Sequence, residues 1–282
     1  MAKPGRVKVG IVAPASRLDP AVADRVTKLA AERYGDRVAL HFHPQCRLAW
    51  GHFAGDDAAR AAAFVEVAND PSFDVVWFAR GGYGSCRIAD QVLPKLTDAA
   101  RAKMYLGYSD AGSLLAGLMV KGFRNLVHGP MPADITRERG EAAVLRALSY
   151  VADRAPETLE PSLTAAAKNA AFNLTILSQL IGTPLQPDLS GHVLMLEEVS
   201  EHMYRIDRTF CHVTSNPGIR GVAGIRLGRC TAVPPNDPDF GQTEEEVARH
   251  WCKVSGIPYL GRADIGHDID NKIVPFGQML VS

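Results

Sequence analysis

The sequence predicts an α/β protein with a mainly parallel sheet, followed by a smaller α/β unit richer in strand, and three observations carry that expectation. Short apolar runs alternate with amphipathic stretches of ten or more residues through the first half, the pattern of successive βαβ units. A break at 154–162, with two prolines and little periodicity, ends that half. Apolar runs and helical stretches then resume.

Taken in order, Val7–Val12 reads as a strand, 21–34 as a helix and Val38–Phe42 as a second strand. A helix over 56–67 precedes the apolar run 74–79. Next come a strand at 104–108, a helix at 113–121, a strand at 125–127 and a Glu-, Arg- and Ala-rich helix over 137–153. The second half reads as a helix at 174–181, a strand at 192–196, a helix at 204–213, a strand at 222–227 and a helix at Glu244–Ser255. Strand-like segments at 258–263 and 273–281 complete it. The expected division is a first unit over 1–153, a linker over 154–165 and a second unit over 166–282. Ligands bind outside the carboxyl ends of strands in open α/β sheets, which directs attention to the loops after Ala79 and Tyr108.

Composition excludes several classes. Lys plus Arg equals Asp plus Glu at 31 each, without the basic excess of a nucleic-acid binder. No apolar run approaches the roughly 18 residues of a membrane span. Met1–Arg6 runs directly into a strand rather than into the apolar core of a secretory leader. The five cysteines are scattered and form no C-x-x-C pair, which argues against a zinc or disulfide framework. The expectation is a cytoplasmic protein that binds neither nucleic acid nor membrane, with no metal and no cofactor.

Four segments could carry chemistry. In Gly107-Tyr-Ser-Asp-Ala-Gly112 a strand gives way to a helix at Ser109; a serine there is either a nucleophile on a strand-to-helix turn or an ordinary helix cap. Arg80-Gly-Gly-Tyr-Gly-Ser-Cys-Arg87 places three glycines after a strand. Its backbone amides could cradle an oxyanion or phosphate, or form a plain tight turn. Leu194-Met-Leu-Glu-Glu-Val-Ser-Glu201 ends a strand on carboxylates. Glu197, Glu198 and Glu201 could orient a histidine, bind metal or sit in solvent. Near the end, Gly266-His267 lies in a loop with Asp264, Asp268 and Asp270, open to a catalytic or a metal-binding reading. Because strand side chains alternate, Glu197 and Glu198 should face opposite sides of their sheet. Together, Ser109, Glu197 and His267 follow the Ser…Glu…His chain order of α/β-hydrolases, with the serine in the first unit and the other two in the second.

These residues carry a resemblance. Gly10-Ile-Val-Ala-Pro-Ala-Ser16, Phe53-Ala-Gly55, Ala79-Arg-Gly-Gly-Tyr-Gly-Ser85, Gly107-Tyr-Ser-Asp110, His128-Gly-Pro130, the run Leu196–Arg208 and Gly266-His267 occur in the order found in the LD-carboxypeptidase family, and the chain resembles that family along nearly its whole length. The resemblance implies a flavodoxin-like N-terminal domain and a smaller β-rich C-terminal domain. It also implies a Ser109–Glu197–His267 triad, with the oxyanion held by the amides of Gly82 and Asp110. Arg80 and Asn173 are candidate substrate-binding residues. Muropeptide tetrapeptides would be cut before a terminal D-Ala, in cytoplasmic cell-wall recycling without a cofactor. A homodimer is the expected assembly. One family branch instead cleaves peptide–nucleotide antibiotics; a non-catalytic flavodoxin-like binding module is the contrasting reading. Two departures stand out: Ala171-Phe-Asn173 where the family has Gly-Gly-Asn, and Glu197-Glu198 where it has Glu-Asp.

Overall fold

Val75–Phe78, within the apolar run at 74–79, forms a strand buried on both faces, which is what helices packed on either side of a parallel sheet require. In the computed structural model, which describes residues 6–278, the first unit runs β1 (Val7–Val12), α1 (Pro20–Tyr34), β2 (Val38–Phe42), α2 (Asp57–Asn69), β3 (Val75–Phe78), α3 (Ser85–Val92), α4 (Asp98–Arg101), β4 (Met104–Gly107), α5 (Gly112–Val120), β5 (Leu126–His128) and α6 (Glu141–Asp153). Its sheet order across the parallel strands is β5-β4-β3-β1-β2, the flavodoxin-like arrangement. Alternation divides the core. Val9, Ile11, Trp77 and Leu106 face α1 and α6, whereas Val12, Val76, Phe78 and Tyr105 face α2, α3 and α5. At Gly10 a Cβ would stand 2.2 Å from Val67 Cγ1, so a glycine lets α2 lie flat against the sheet.

The second unit comprises β6 (Lys168–Asn173), α7 (Leu174–Leu180), β7 (His192–Val199), α8 (Met203–Ser215), β8 (Gly224–Thr231), α9 (Glu244–Ser255), β9 (Tyr259–Arg262), β10 (Val274–Pro275) and β11 (Gly277–Gln278). The order in its sheet is β11-β6-β7-β8-β9, parallel except for β11. The units share material. Helix α5 packs on α7, and β10 leaves the second unit to pair antiparallel with β5 of the first sheet.

Four elements differ from the sequence expectation. Helix α3 was hidden in the glycine segment because its N-cap is Gly84, which has no capping side chain. Strand β6, KNAAFN, has no β-branched residue; burial between β7 and β11 makes it a strand. The stretch expected as a linker is bound rather than loose: Glu160 is buried, its N–H donates to Ile273 O, and its carboxylate accepts from Asp264 N–H and from Ser162. The expected strand 273–281 is split into β10 and β11, with 279–281 outside the described residues. No described helix is long and apolar enough to cross a membrane, and all five cysteines are free thiols.

Candidate active site

Strand β4 ends at Gly107, and two residues later Ser109 adopts φ 59°, the left-handed region, before a short 3-10 turn leads into α5. Non-glycine residues enter that region at a cost and mainly where surrounding structure holds them. Here the turn projects Ser109 from the carboxyl edge of the sheet. Its hydroxyl caps no helix among the described hydrogen bonds, so the capping alternative is not realised. The neighbouring strand β3 sends the glycine segment over this serine. A Cβ on Gly81 would lie 2.8 Å from Ser109 Oγ and 2.9 Å from its Cβ. Gly82, with φ 118°, would bring a Cβ to 2.3 Å from Ser16 Oγ. Only glycines allow the backbone this close to the serine. Gly81→Ala should therefore displace Ser109 and lower kcat by at least ~10-fold, since misplacements of about 1 Å are that costly; unchanged kcat would show that the close approach is dispensable.

The peptide at Gly84 is held from two directions. Asp110, buried directly after Ser109, accepts Gly84 N–H at 3.3 Å and Ser85 N–H at 2.9 Å. Arg60, 0% exposed, donates to Gly84 O at 2.9 Å and also to Pro14 O and Asp57. The loop that carries Gly81 and Gly82 is thus fixed by side chains on α2 and on the turn that carries Ser109. Among the described residues nothing accepts from Gly82 N–H. Sequence reasoning missed Arg60, although a charge aligned with Phe64 and Val67 on the apolar face of a helix is a detectable signal.

Glu197 and Glu198 do face opposite ways at the end of β7. Glu197, 0% exposed, accepts from His267 Nδ1 at 2.6 Å. Glu198 accepts from Asn173 Nδ2 at 2.7 Å, from both the N–H and hydroxyl of Thr175, and from its neighbour Val199 N–H. Burial raises the Glu198 pKa, and these donors only partly offset it. Asn173, considered above as a substrate contact, is instead a structural cap: its carbonyl accepts Ile176 N–H and its amide serves Glu198. Glu201 pairs with Arg205 at 3.4 Å and is not among the residues that line the cavity with Ser109 and His267.

The His267 loop is braced from three sides. Asn271 Oδ1 accepts Gly266 N–H at 3.2 Å and meets His128 Nε2 at 3.1 Å. Arg146 of α6 donates to Ile269 O and Asn271 O. Arg229 of β8 engages Asp264 and Asp268. That pairing replaces the metal-site alternative for these aspartates; no group of three His, Cys, Asp or Glu disposed to hold a metal occurs among the described residues. Burial works against charge on His267, but the Glu197 carboxylate outweighs it and leaves the pKa above the ordinary histidine value.

Ser109, His267, Gly81, Gly82 and Arg80 line one cavity of about 450 Å³ together with Tyr108, Asp134 and Arg137. The Tyr108 ring packs 4.8 Å from the His267 ring, and its hydroxyl donates to Asp134 at 2.8 Å. Burial, and then the Asp134 charge, hold that phenol well above its usual pKa. Arg80 is exposed, its one described contact a 3.4 Å bond to Arg17 O. No hydrogen bond joins Ser109 to His267 among the described residues. Such bonds are often long without substrate and tighten in the reactive complex.

This fold and this cavity define a two-unit α/β protein with a strained serine, a carboxylate-bound histidine and a glycine loop meeting between the units. The chain belongs to the LD-carboxypeptidase family: residues 9–129 match its N-terminal domain and 170–281 its C-terminal domain. It is a peptidase. A Synechocystis relative, provisionally assigned by its name to the carboxypeptidases, is 33% identical over 235 residues, 81% of this chain and 76% of that protein. The murein tetrapeptide carboxypeptidase of Pseudomonas aeruginosa is 26% identical over 294 residues, 97% of this chain and 92% of its own. Among solved structures, a muramoyltetrapeptide carboxypeptidase from Oxalobacter formigenes has the same fold, with TM-score 0.82 at 24% identity over 96% of this chain and 93% of the other. The microcin C7 self-immunity protein MccF is also similar in fold, with TM-score 0.77 at 18% identity over 99% and 98% of the two chains.

Proposed function

We propose that the chain is a serine-type LD-carboxypeptidase that removes the terminal D-Ala from murein-derived tetrapeptides. The observation that carries the reading is the 2.6 Å Glu197–His267 hydrogen bond opening onto the cavity that holds Ser109. In this mechanism Ser109 Oγ attacks the scissile carbonyl while His267 Nε2 takes its proton. Glu197 fixes the Nδ1–H tautomer and stabilises the imidazolium. The amides of Gly82 and Asp110 receive the oxyanion, preorganised by the Asp110 and Arg60 contacts to the loop. His267 then returns the proton to the departing D-Ala amine. A water, deprotonated by His267, attacks the acyl-enzyme; the Ser109 Oγ–acyl bond breaks, Oγ takes the proton back and the shortened peptide leaves as its carboxylate. Every step has an assigned side chain or amide, so the reading calls for no cofactor. The name of the Pseudomonas relative supports the murein substrate. Free thiols at all five cysteines suit a reducing cytoplasm, where wall peptides would be recovered.

Mass spectrometry of a muropeptide tetrapeptide incubated with the pure protein tests the reading. Loss of one D-Ala is expected, and the peptide ending in L-Ala should react at least ~10³-fold more slowly. Inverting that centre exchanges methyl and carboxylate and leaves buried donors unpaired, each worth roughly 1–3 kcal/mol. Equal rates on the two epimers would reject LD specificity. Turnover of a peptide–nucleotide with none of the tetrapeptide would assign the chain to the antibiotic branch.

A further inference from the structure

A carboxypeptidase recognises a free terminal carboxylate, and that group lies close to the chemistry. Its carbon is three bonds from the carbonyl carbon that Ser109 attacks, about 4 Å away at most. The group that binds it must therefore stand on the wall of the same cavity. Two guanidinium groups do, Arg80 and Arg137, and their surroundings differ. Both are exposed, but Arg80 is tethered only by a single 3.4 Å bond to a carbonyl. Arg137 is aimed. Its Nε donates to Asp134 Oδ1 at 3.1 Å. Asp134 is itself buried and held by Tyr108 hydroxyl at 2.8 Å and Met131 N–H at 2.8 Å. Beyond a 3.5 Å approach of Nη2 to the Tyr108 hydroxyl, the terminal nitrogens have no described partner.

We infer that Arg137 is the residue that binds the terminal carboxylate of the substrate, its outer edge presented to the cavity by the Asp134–Tyr108 pair. The inference rests on the peptidase reading above. A planar guanidinium pinned at Nε, with Nη2 giving at most one of its hydrogens to Tyr108, keeps an N–H on each terminal nitrogen for a paired contact with a carboxylate, which lysine cannot reproduce. Because Tyr108 also packs on His267, the same ring that sets the catalytic imidazole sets the orientation of the carboxylate site. Carboxylate binding and proton transfer are thereby held in one register.

The test pairs two substrates with four proteins. The tetrapeptide carries either a free terminal carboxylate or a terminal carboxamide, and kcat/KM is measured for the wild type, Arg137→Met, Arg137→Lys and Arg80→Met. The wild type should prefer the acid by on the order of 10²-fold, the scale of a lost charge-assisted contact. Arg137→Met should lose that factor on the acid and little on the amide, so that its preference falls below ~5-fold. Arg137→Lys should recover part of the preference, and Arg80→Met should keep the wild-type ratio. The carboxamide arm, with fluorophosphonate labelling of Ser109, reports that the variant site is intact. A wild type that prefers the acid with an Arg137→Met variant of the same preference overturns the assignment to Arg137 alone. A wild type that cuts neither peptide overturns the carboxypeptidase reading and this inference together.

Discussion

Ser109→Ala is expected to reduce hydrolysis by on the order of 10⁴-fold or more, the scale seen when a serine nucleophile is removed while the rest of its site remains. Thermal unfolding should stay within about 0.5 kcal/mol of the wild type. The two expectations are independent. Ser109 Oγ makes no described hydrogen bond, so the hydroxyl contributes little to holding the turn. The φ of 59° is enforced by the strand before it and the helix after it, and alanine meets the same constraint. A fluorophosphonate probe should label the wild type and leave the variant unlabelled. Activity near the wild-type level would remove Ser109 from the mechanism, and labelling that persists in the variant would place the nucleophile on another residue.

Glu197→Gln and Glu198→Gln should separate activity from stability. An amide in place of Glu197 can present its NH₂ to His267 Nδ1, which favours the wrong tautomer and leaves the imidazolium unsupported. A loss of kcat on the order of 10⁴-fold is expected, as when the acid of a Ser-His-Asp triad becomes an amide. Glu198→Gln should leave kcat within a few-fold. One oxygen that now accepts from Asn173, Thr175 or Val199 would become a donor facing donors, costing stability by about 1–3 kcal/mol. Equal activity losses would leave Glu197 without a special role.

The pH profile supplies a second readout. The proposed mechanism needs neutral His267, whose pKa is held above the ordinary histidine value because the Glu197 carboxylate outweighs burial. In the wild type, kcat/KM should therefore rise with pH and level off only above the range of a free imidazole. Removing the carboxylate charge in Glu197→Gln should move the acid limb of the residual activity to lower pH. A limb that stays in place would mean that another group titrates in the profile.

Much of the parallel sheet was legible because its signal is local. A run such as Val75–Phe78, buried on both faces, needs no distant partner to be recognised as a strand. Elements whose reason lies elsewhere were not legible. Strand β6 has the composition of a loop and is a strand because β7 lies beside it. Helix α3 starts on a glycine whose N–H is satisfied by Asp110, 26 residues away.

The site divides along the same line. Residue types and chain order by themselves determined the candidates Ser109, Glu197 and His267, because a triad needs a nucleophile, a base and an acid whatever the fold. Alternation along β7 further required that only one of Glu197 and Glu198 could face the histidine. The resemblance singled out Glu197, and the tertiary structure supplies the contact: the β7–β8 pairing and the loop braced by Asn271, Arg146 and Arg229 bring His267 to Glu197 across 70 residues. It also turned Asn173 from a substrate contact into a cap, and it left Arg137 rather than Arg80 as the oriented cation of the cavity. The physical reason is the same in each case. A side chain's chemistry is written in its type, but the partners that hold it are distant in sequence, and only packing brings them within hydrogen-bond reach.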